Sequence, residues 1–168
     1  SDFAIAVGEE QKMKYGYGIL EKQFRRYYQK AVQSRGVTGE KLLQLLETRL
    51  DSIVDHLGFA STRRSARQMV SHGHIAVNGK KVSIPSYGCR TGDVVEVRDT
   101  PKSRQLGTNA LEKTQIRPVP DWLTLNKEQF KGTLTRIPTR EELNAELLAV
   151  PEPPEQPDTP HPPGFEDS

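Results

Sequence analysis

The chain has 168 residues, 34% of them hydrophobic, and 24 Lys and Arg against 22 Asp and Glu leave a formal net charge of +2. This suits one or two small domains with modest cores. No apolar run reaches the ~18 residues of a membrane span, no signal-peptide pattern opens the chain, and one cysteine permits neither an internal disulfide nor a multi-cysteine zinc site, which fits a reducing compartment.

The small net charge averages two unlike regions. Residues 12–104 hold 18 Lys or Arg against 8 acids, whereas residues 141–168 hold eight acids and no Lys or Arg. A polyanion selects such a basic body, because each cation set on a phosphate releases a condensed counterion; the plainer alternative is a solvated basic face.

In chain order, residues 1–14 carry weak signals and Tyr15-Gly16-Tyr17-Gly18 marks a bend or a close backbone approach. A helix is predicted over Ile19–Val32. Leu20, Phe24, Tyr27 or Tyr28, and Ala31 line one side, with Lys22, Arg25, Arg26 and Lys30 around the rest. Phe24 and one tyrosine are expected in the core, although tyrosines among arginines can also stack on RNA bases. Ser34-Arg35-Gly36 breaks the helix and Thr38 is a credible cap for the next. An apolar stripe from Leu42 to Leu57 then continues as one long helix or two, which Gly58 can end. The following short helix is capped by Ser61 or Thr62, buries Ala66, Met69 and Val70, and stops at Gly73. Arg63, Arg64 and Arg67, three and four apart, are expected to project from one face as a basic comb.

Ile75-Ala76-Val77, the type I′ pair Asn78-Gly79 and Lys80–Ile84 read as a tight hairpin, to which Val94–Arg98 adds a strand. Residues 99–104 read as a polar loop and Gln105–Gln115 as a short helix. Asp121–Leu125, anchored by Trp122, alternates as a half-buried strand with Gly132–Ile137 as its partner. Pro138-Thr139 precedes a last helix over Arg140–Ala149, with Leu143 and Leu147 on one side. From Pro151 the tail holds seven of the twelve prolines and no apolar periodicity, so a disordered or polyproline-like solvating extension is expected.

The chain has no phosphate-cradling glycine motif, no HExxH and no cysteine–histidine metal spacing. His72 and His74 lack further ligands nearby. Hydrogen bonding to RNA or a contact with the last helical carbonyls is therefore the expected role of His72. Cys89, beside Arg90 but without a partner base, reads as a small buried filler. No metal, cofactor or small-molecule substrate is expected.

Taken together, Tyr15-Gly16, Glu21–Arg25, Thr38-Gly39-Glu40, Leu42-Leu43, Arg49-Leu50-Asp51, Leu57–Ala60, Thr62-Arg63, Ala66-Arg67-Gln68, Ser71–Ile75, Val77-Asn78-Gly79 and Ile84–Tyr87 resemble the bacterial-type small-subunit ribosomal protein S-four family. Trp122-Leu123 and Pro138-Thr139-Arg140 match its later segments, and the resemblance covers roughly Ser1–Leu148. It implies an α+β fold. A mainly helical domain over residues 1–47, completed by about 140–150, receives an inserted S-four RNA-binding domain over 48–139, and the tail at 151–168 is disordered. It also implies direct binding to the 5′ domain of small-subunit rRNA at a multi-helix junction, early in assembly. Further implied partners are mRNA, at the channel through which it enters, and ribosomal protein S-five. The implied place is a cytoplasmic ribosome, with mitochondrial and plastid ribosomes as alternatives. Family members usually carry a further N-terminal segment, in some cases a cysteine zinc knuckle. They end on an apolar strand-like run where this sequence has its proline and acid tail.

The expected RNA contacts are Lys22, Arg25 and Arg26 on one basic face and Arg63, Arg64, Arg67, Lys80 and Lys81 on another. His72, Asn78 and Tyr87 are also expected at the RNA, and Tyr15 and Tyr17 are further stacking groups. Two other functions compete. Arg49-Leu50-Asp51 resembles the catalytic loop of pseudouridine synthases, but Asp51 lies within a leucine-rich helical stripe and the chain has no room for their large catalytic sheet. A free RNA chaperone or translational regulator is the third reading.

Overall fold

The computed structural model describes residues 21–33, 38–139 and 141–143 as a mixture of α-helices and one antiparallel sheet. Helix α1 (Glu21–Gln33) and helix α2 (Thr38–Glu47) pack on each other. Phe24 and Ala31 of α1 meet Leu42, Leu43 and Leu46 of α2 in a small core that also takes in Leu143. Tyr27 and Tyr28 are partly buried against it. The apolar stripe is divided between two helices, α2 and α3 (Leu50–Leu57), parted at Thr48-Arg49. Thr48 folds its hydroxyl back onto the Gln44 carbonyl (2.7 Å), and Arg49 is extended at φ −62°, ψ 147°.

Helix α3 is buried on almost every side, so even its polar residues Asp51, Ser52 and Asp55 lie inside. Its first amides are satisfied from a distant loop: Leu50 donates to the Tyr87 carbonyl and Asp51 to that of Pro85, at 2.9 and 3.1 Å. Gly58 closes it in the left-handed region at φ +84°. Thr62 caps helix α4 (Arg63–Ser71) by accepting from the Ser65 amide, and Gly73 leaves that helix at φ +79°.

Strands β1 (Ile75–Val77), β2 (Lys80–Lys81), β3 (Val94–Val97), β4 (Leu123–Asn126) and β5 (Lys131–Leu134) form one antiparallel sheet in the order β2-β1-β3-β5-β4. Positive φ at both Asn78 (52°) and Gly79 (83°) gives the expected type I′ reversal between β1 and β2. The second hairpin strand is shorter than expected, although the Val82 amide still reaches the Ile75 carbonyl. Its last expected residue, Ile84, is exposed and belongs to the loop that caps α3.

A larger departure concerns residues 99–104. These do not form a polar loop, because Thr100 accepts from the Ser103 amide and Pro101 occupies the first position of helix α5 (Pro101–Thr114). Proline has no N–H to lose there and its φ suits a first helical turn. Gly107 lets α5 lie close to the sheet, since a Cβ there would stand 3.2 Å from the Phe130 ring and 3.3 Å from Val97. Gly132 on β5 similarly admits Leu57, whose methyls lie 2.4 Å from where a Cβ would be. Leu57, Trp122, Leu134, Val95, Val97 and Phe59 share the main core, and Cys89 is buried with them as expected. Near the end of the described chain, Thr139 and Glu142 form a reciprocal capping box. Residues 1–20, the rest of the expected last helix and the tail lie outside the described residues.

Candidate RNA-binding surface

The expected comb on α4 divides by side. Arg63, 20% exposed, turns inward with Nη2 3.7 Å from Glu47 and Nε 3.8 Å from Asp55, and donates to the Ser52 hydroxyl at 3.0 Å. Arg67 reaches Asp51 at 3.6 Å while its side chain stays 36% exposed. Arg64, the next residue along from Arg63, is exposed. A turn of about 100° between adjacent helical residues is enough to send one guanidinium to the interior and its neighbour to water.

These inward arginines belong to a buried ionic junction between α2, α3 and α4. Arg49 makes a two-pronged pair with Asp51 (3.1 and 3.0 Å) and stands over the Tyr27 ring at 5.6 Å, joining α1 to the junction. Glu47 pairs with His56, and Arg117 comes within 3.4 Å of Asp55. Burial by itself would raise the Glu47 carboxyl, but the His56 charge and hydrogen bond together with Arg63 outweigh it and hold the pKa below the ordinary value. Charged residues that interrupt a leucine stripe at positions 47, 49, 51 and 55 were the sequence signal for this junction.

On the outer side, Lys80 and Lys81 are exposed on β2. The Lys81 stem runs past Gly73, 3.4 Å from where a Cβ would be, which brings this lysine to the end of α4. Asn78 is exposed, yet its amide is occupied: it donates to Asp93 at 3.0 Å and accepts from the Val94 amide at 2.9 Å, tying the turn to β3. His72 is exposed at the C-terminal cap of α4, where its backbone N–H, not its ring, meets the Gln68 carbonyl. Its ring lies 6.4 Å from that of His74, and His74 Nδ1 lies 2.8 Å from the Ser103 hydroxyl. Tyr87 is 37% exposed on the loop that caps α3. Lys22, Arg25 and Arg26 are exposed on α1, and Tyr15 and Tyr17 lie outside the described residues. Cys89 shows no activated thiol, because burial, then Asp93 and Asp51, push it up to about 12. No group of three metal-ligating side chains occurs among the described residues, nor is any described helix long and apolar enough to cross a membrane.

Known proteins share this sequence over most of its length. Residues 1–47 match the ribosomal protein S4/S9 N-terminal domain and residues 48–95 match the S4 domain. Small ribosomal subunit protein uS4 of Opitutus terrae is 56% identical over 143 residues, covering 85% of this chain and 70% of that protein. The chain belongs to the uS4 family of small ribosomal subunit proteins. The Akkermansia muciniphila member is 52% identical, again over 85% of this chain and 70% of its own length. That of Thermoanaerobacter pseudethanolicus is 51% identical, over 86% and 69%.

Members of the uS4 family are ribosomal proteins rather than enzymes. The pseudouridine-synthase reading of Arg49-Leu50-Asp51 therefore falls, and the geometry gives the triplet another purpose. Asp51 accepts from Arg49 and lies near Arg67, so it is a neutralised structural carboxylate inside the junction.

Proposed function

We propose that this ribosomal component binds small-subunit rRNA directly, in the 5′ domain, and fixes the angle between RNA helices there early in assembly. The observation that carries the reading is the exposure of Arg64 on α4, which the ionic junction braces from behind, and of Lys80 and Lys81 on β2. These cations would hold phosphates, with Arg67 serving both RNA and Asp51, while Lys22, Arg25 and Arg26 hold a second RNA helix from α1. Arg63 would brace α4, Asn78 would set the hairpin turn, and Tyr87 and His72 would offer stacking or hydrogen-bonding groups. Residues 1–47, completed by about 140–150, would form one domain and 48–139 the inserted one; the packing of Leu143 with Phe24 and Leu46 supports that division. A place beside incoming mRNA, a contact with ribosomal protein S-five and residence in a cytoplasmic ribosome rest on family membership.

The test is binding of the chain to its own 5′-domain rRNA over a salt series, with a scrambled-fold RNA as competitor. A strong preference for the native fold with a steep salt slope is expected. Equal affinity for both RNAs would contradict the reading and favour a general RNA chaperone.

A further inference from the structure

A groove of about 530 Å³ lies between α4 and α5, away from the ionic junction. Ser65, Gln68, Met69 and His72 line it from α4 at i, i+3, i+4 and i+7, one continuous helical face. Lys102, Leu106, Asn109 and Lys113 line it from α5 at i, i+4, i+7 and i+11, again one helical face. Met69 and Ala110, 7% and 8% exposed, give it an apolar floor, and Leu106 is an apolar lip at 38%. No carboxylate among the described residues lines it, although the chain has 22 acids.

The composition of the groove restricts its occupant. Lys102 and Lys113 sit near opposite ends of α5, eleven residues and hence roughly 16 Å apart along the axis. They therefore suit phosphates a few nucleotides apart on one strand better than a single anion. An apolar floor has no use for a phosphate but does suit the face of a base, and the Gln68 and Asn109 amides on facing helices can both donate to and accept from a base edge. His74 supplies an uncharged ring, since burial, followed by Lys102, His72 and Arg98, lowers its pKa. An A-form duplex has no open base face and its Watson–Crick edges are paired, whereas an unstacked nucleotide offers both to such a depression.

We propose that the α4–α5 groove takes an unstacked nucleotide of single-stranded small-subunit rRNA, its base over Met69 and Ala110 and the phosphates of the strand to either side on Lys102 and Lys113. This inference rests on the rRNA-binding reading above and adds a contact that the outer cations do not provide: a sequence-tolerant stacking site beside a phosphate clamp.

The test uses the full chain and its own 5′-domain rRNA. Asn109→Trp places a ring in the groove from an exposed position and should weaken binding about ten- to hundredfold. The melting temperature and the salt slope should hold, and Thr108→Trp, at an exposed position of the same helix outside the groove, should bind like the unsubstituted chain. Changing Lys102 and Lys113 together to Ala should lower the salt slope by about one to two counterions. Independently of any variant, 4-thiouridine-substituted rRNA should crosslink to Met69, His72 or Leu106 from an unpaired position. If the unsubstituted chain prefers native rRNA but all groove variants match it, the groove site is overturned while the rRNA-binding reading stands. Crosslinks confined to the β1–β2 hairpin, or protein crosslinks that seat the chain's own acidic tail in the groove, would overturn it as well. Indifference of the unsubstituted chain to RNA fold would remove both.

Discussion

The ionic junction and the outer cationic surface are made of the same residue types, and Arg63 and Arg64 are neighbours in the chain, yet the two regions are governed by different physics. In the junction, Arg49 and Asp51 have side chains only 4% and 7% exposed. Each has lost its hydration, so removing either partner strands a buried charge. On the outer surface Lys80 and Lys81 keep their water and cost nothing to expose. In the rRNA contact proposed above, their value is realised only when the polyanion releases its counterions. On the proposed reading, positive charge in this chain therefore has two uses, one buried beneath α4 and one exposed on α4 and β2. The first holds the helices at a fixed angle; the second is what that angle presents.

The sharpest way to break this comparison is inside the junction. Arg49→Ala leaves the Asp51 carboxylate buried beside an empty space and removes the contact with Tyr27. We expect a loss of about 3–5 kcal/mol in unfolding free energy by denaturant titration, larger than for any single outer lysine. Next in size is the packing that carries the junction. Gly132→Ala would drive a methyl into the space that Leu57 occupies and should cost about 1–3 kcal/mol by forcing α3 off β5.

Acid separates the regions without a substitution in the outer face. The Glu47 pKa is lower in the folded chain than its ordinary 4.5. Its stabilisation is therefore complete above that value and is lost as pH falls through the lowered folded value. Glu47→Gln should flatten the corresponding part of the acid unfolding curve, whereas Lys80→Ala should leave the curve's shape unchanged.

Much of the fold was legible because local rules and tertiary packing agree. The Asn78-Gly79 turn, the Thr62 cap and the Gly58 stop all sit where side-chain chemistry requires them. The start of α5 is hidden by the loop-like polarity of Thr100-Pro101-Lys102-Ser103, although the same residues supply the cap and the N1 proline that define a helix start. The comb is legible as three arginines close together on one helix, but not as three equivalent outward cations, because Arg63 turns inward. Helical spacing says that Arg63, Arg64 and Arg67 are near one another, but not that Glu47 and Asp55 wait beneath one of them. Those carboxylates come from other helices, and only packing brings them there. The groove was invisible for the same reason: its two walls lie on helices separated by the whole β1–β3 segment.

The most direct measurement is the paired comparison of Arg63→Ala and Arg64→Ala, following both the melting temperature and the salt slope of 5′-domain rRNA binding. Arg64→Ala should lower the slope by about one counterion with the melting temperature unchanged. Arg63→Ala should lower the melting temperature and leave the slope intact in the folded chain. The reverse pattern, or equal slope changes for both, would contradict the division of α4 into a structural and an RNA-facing side.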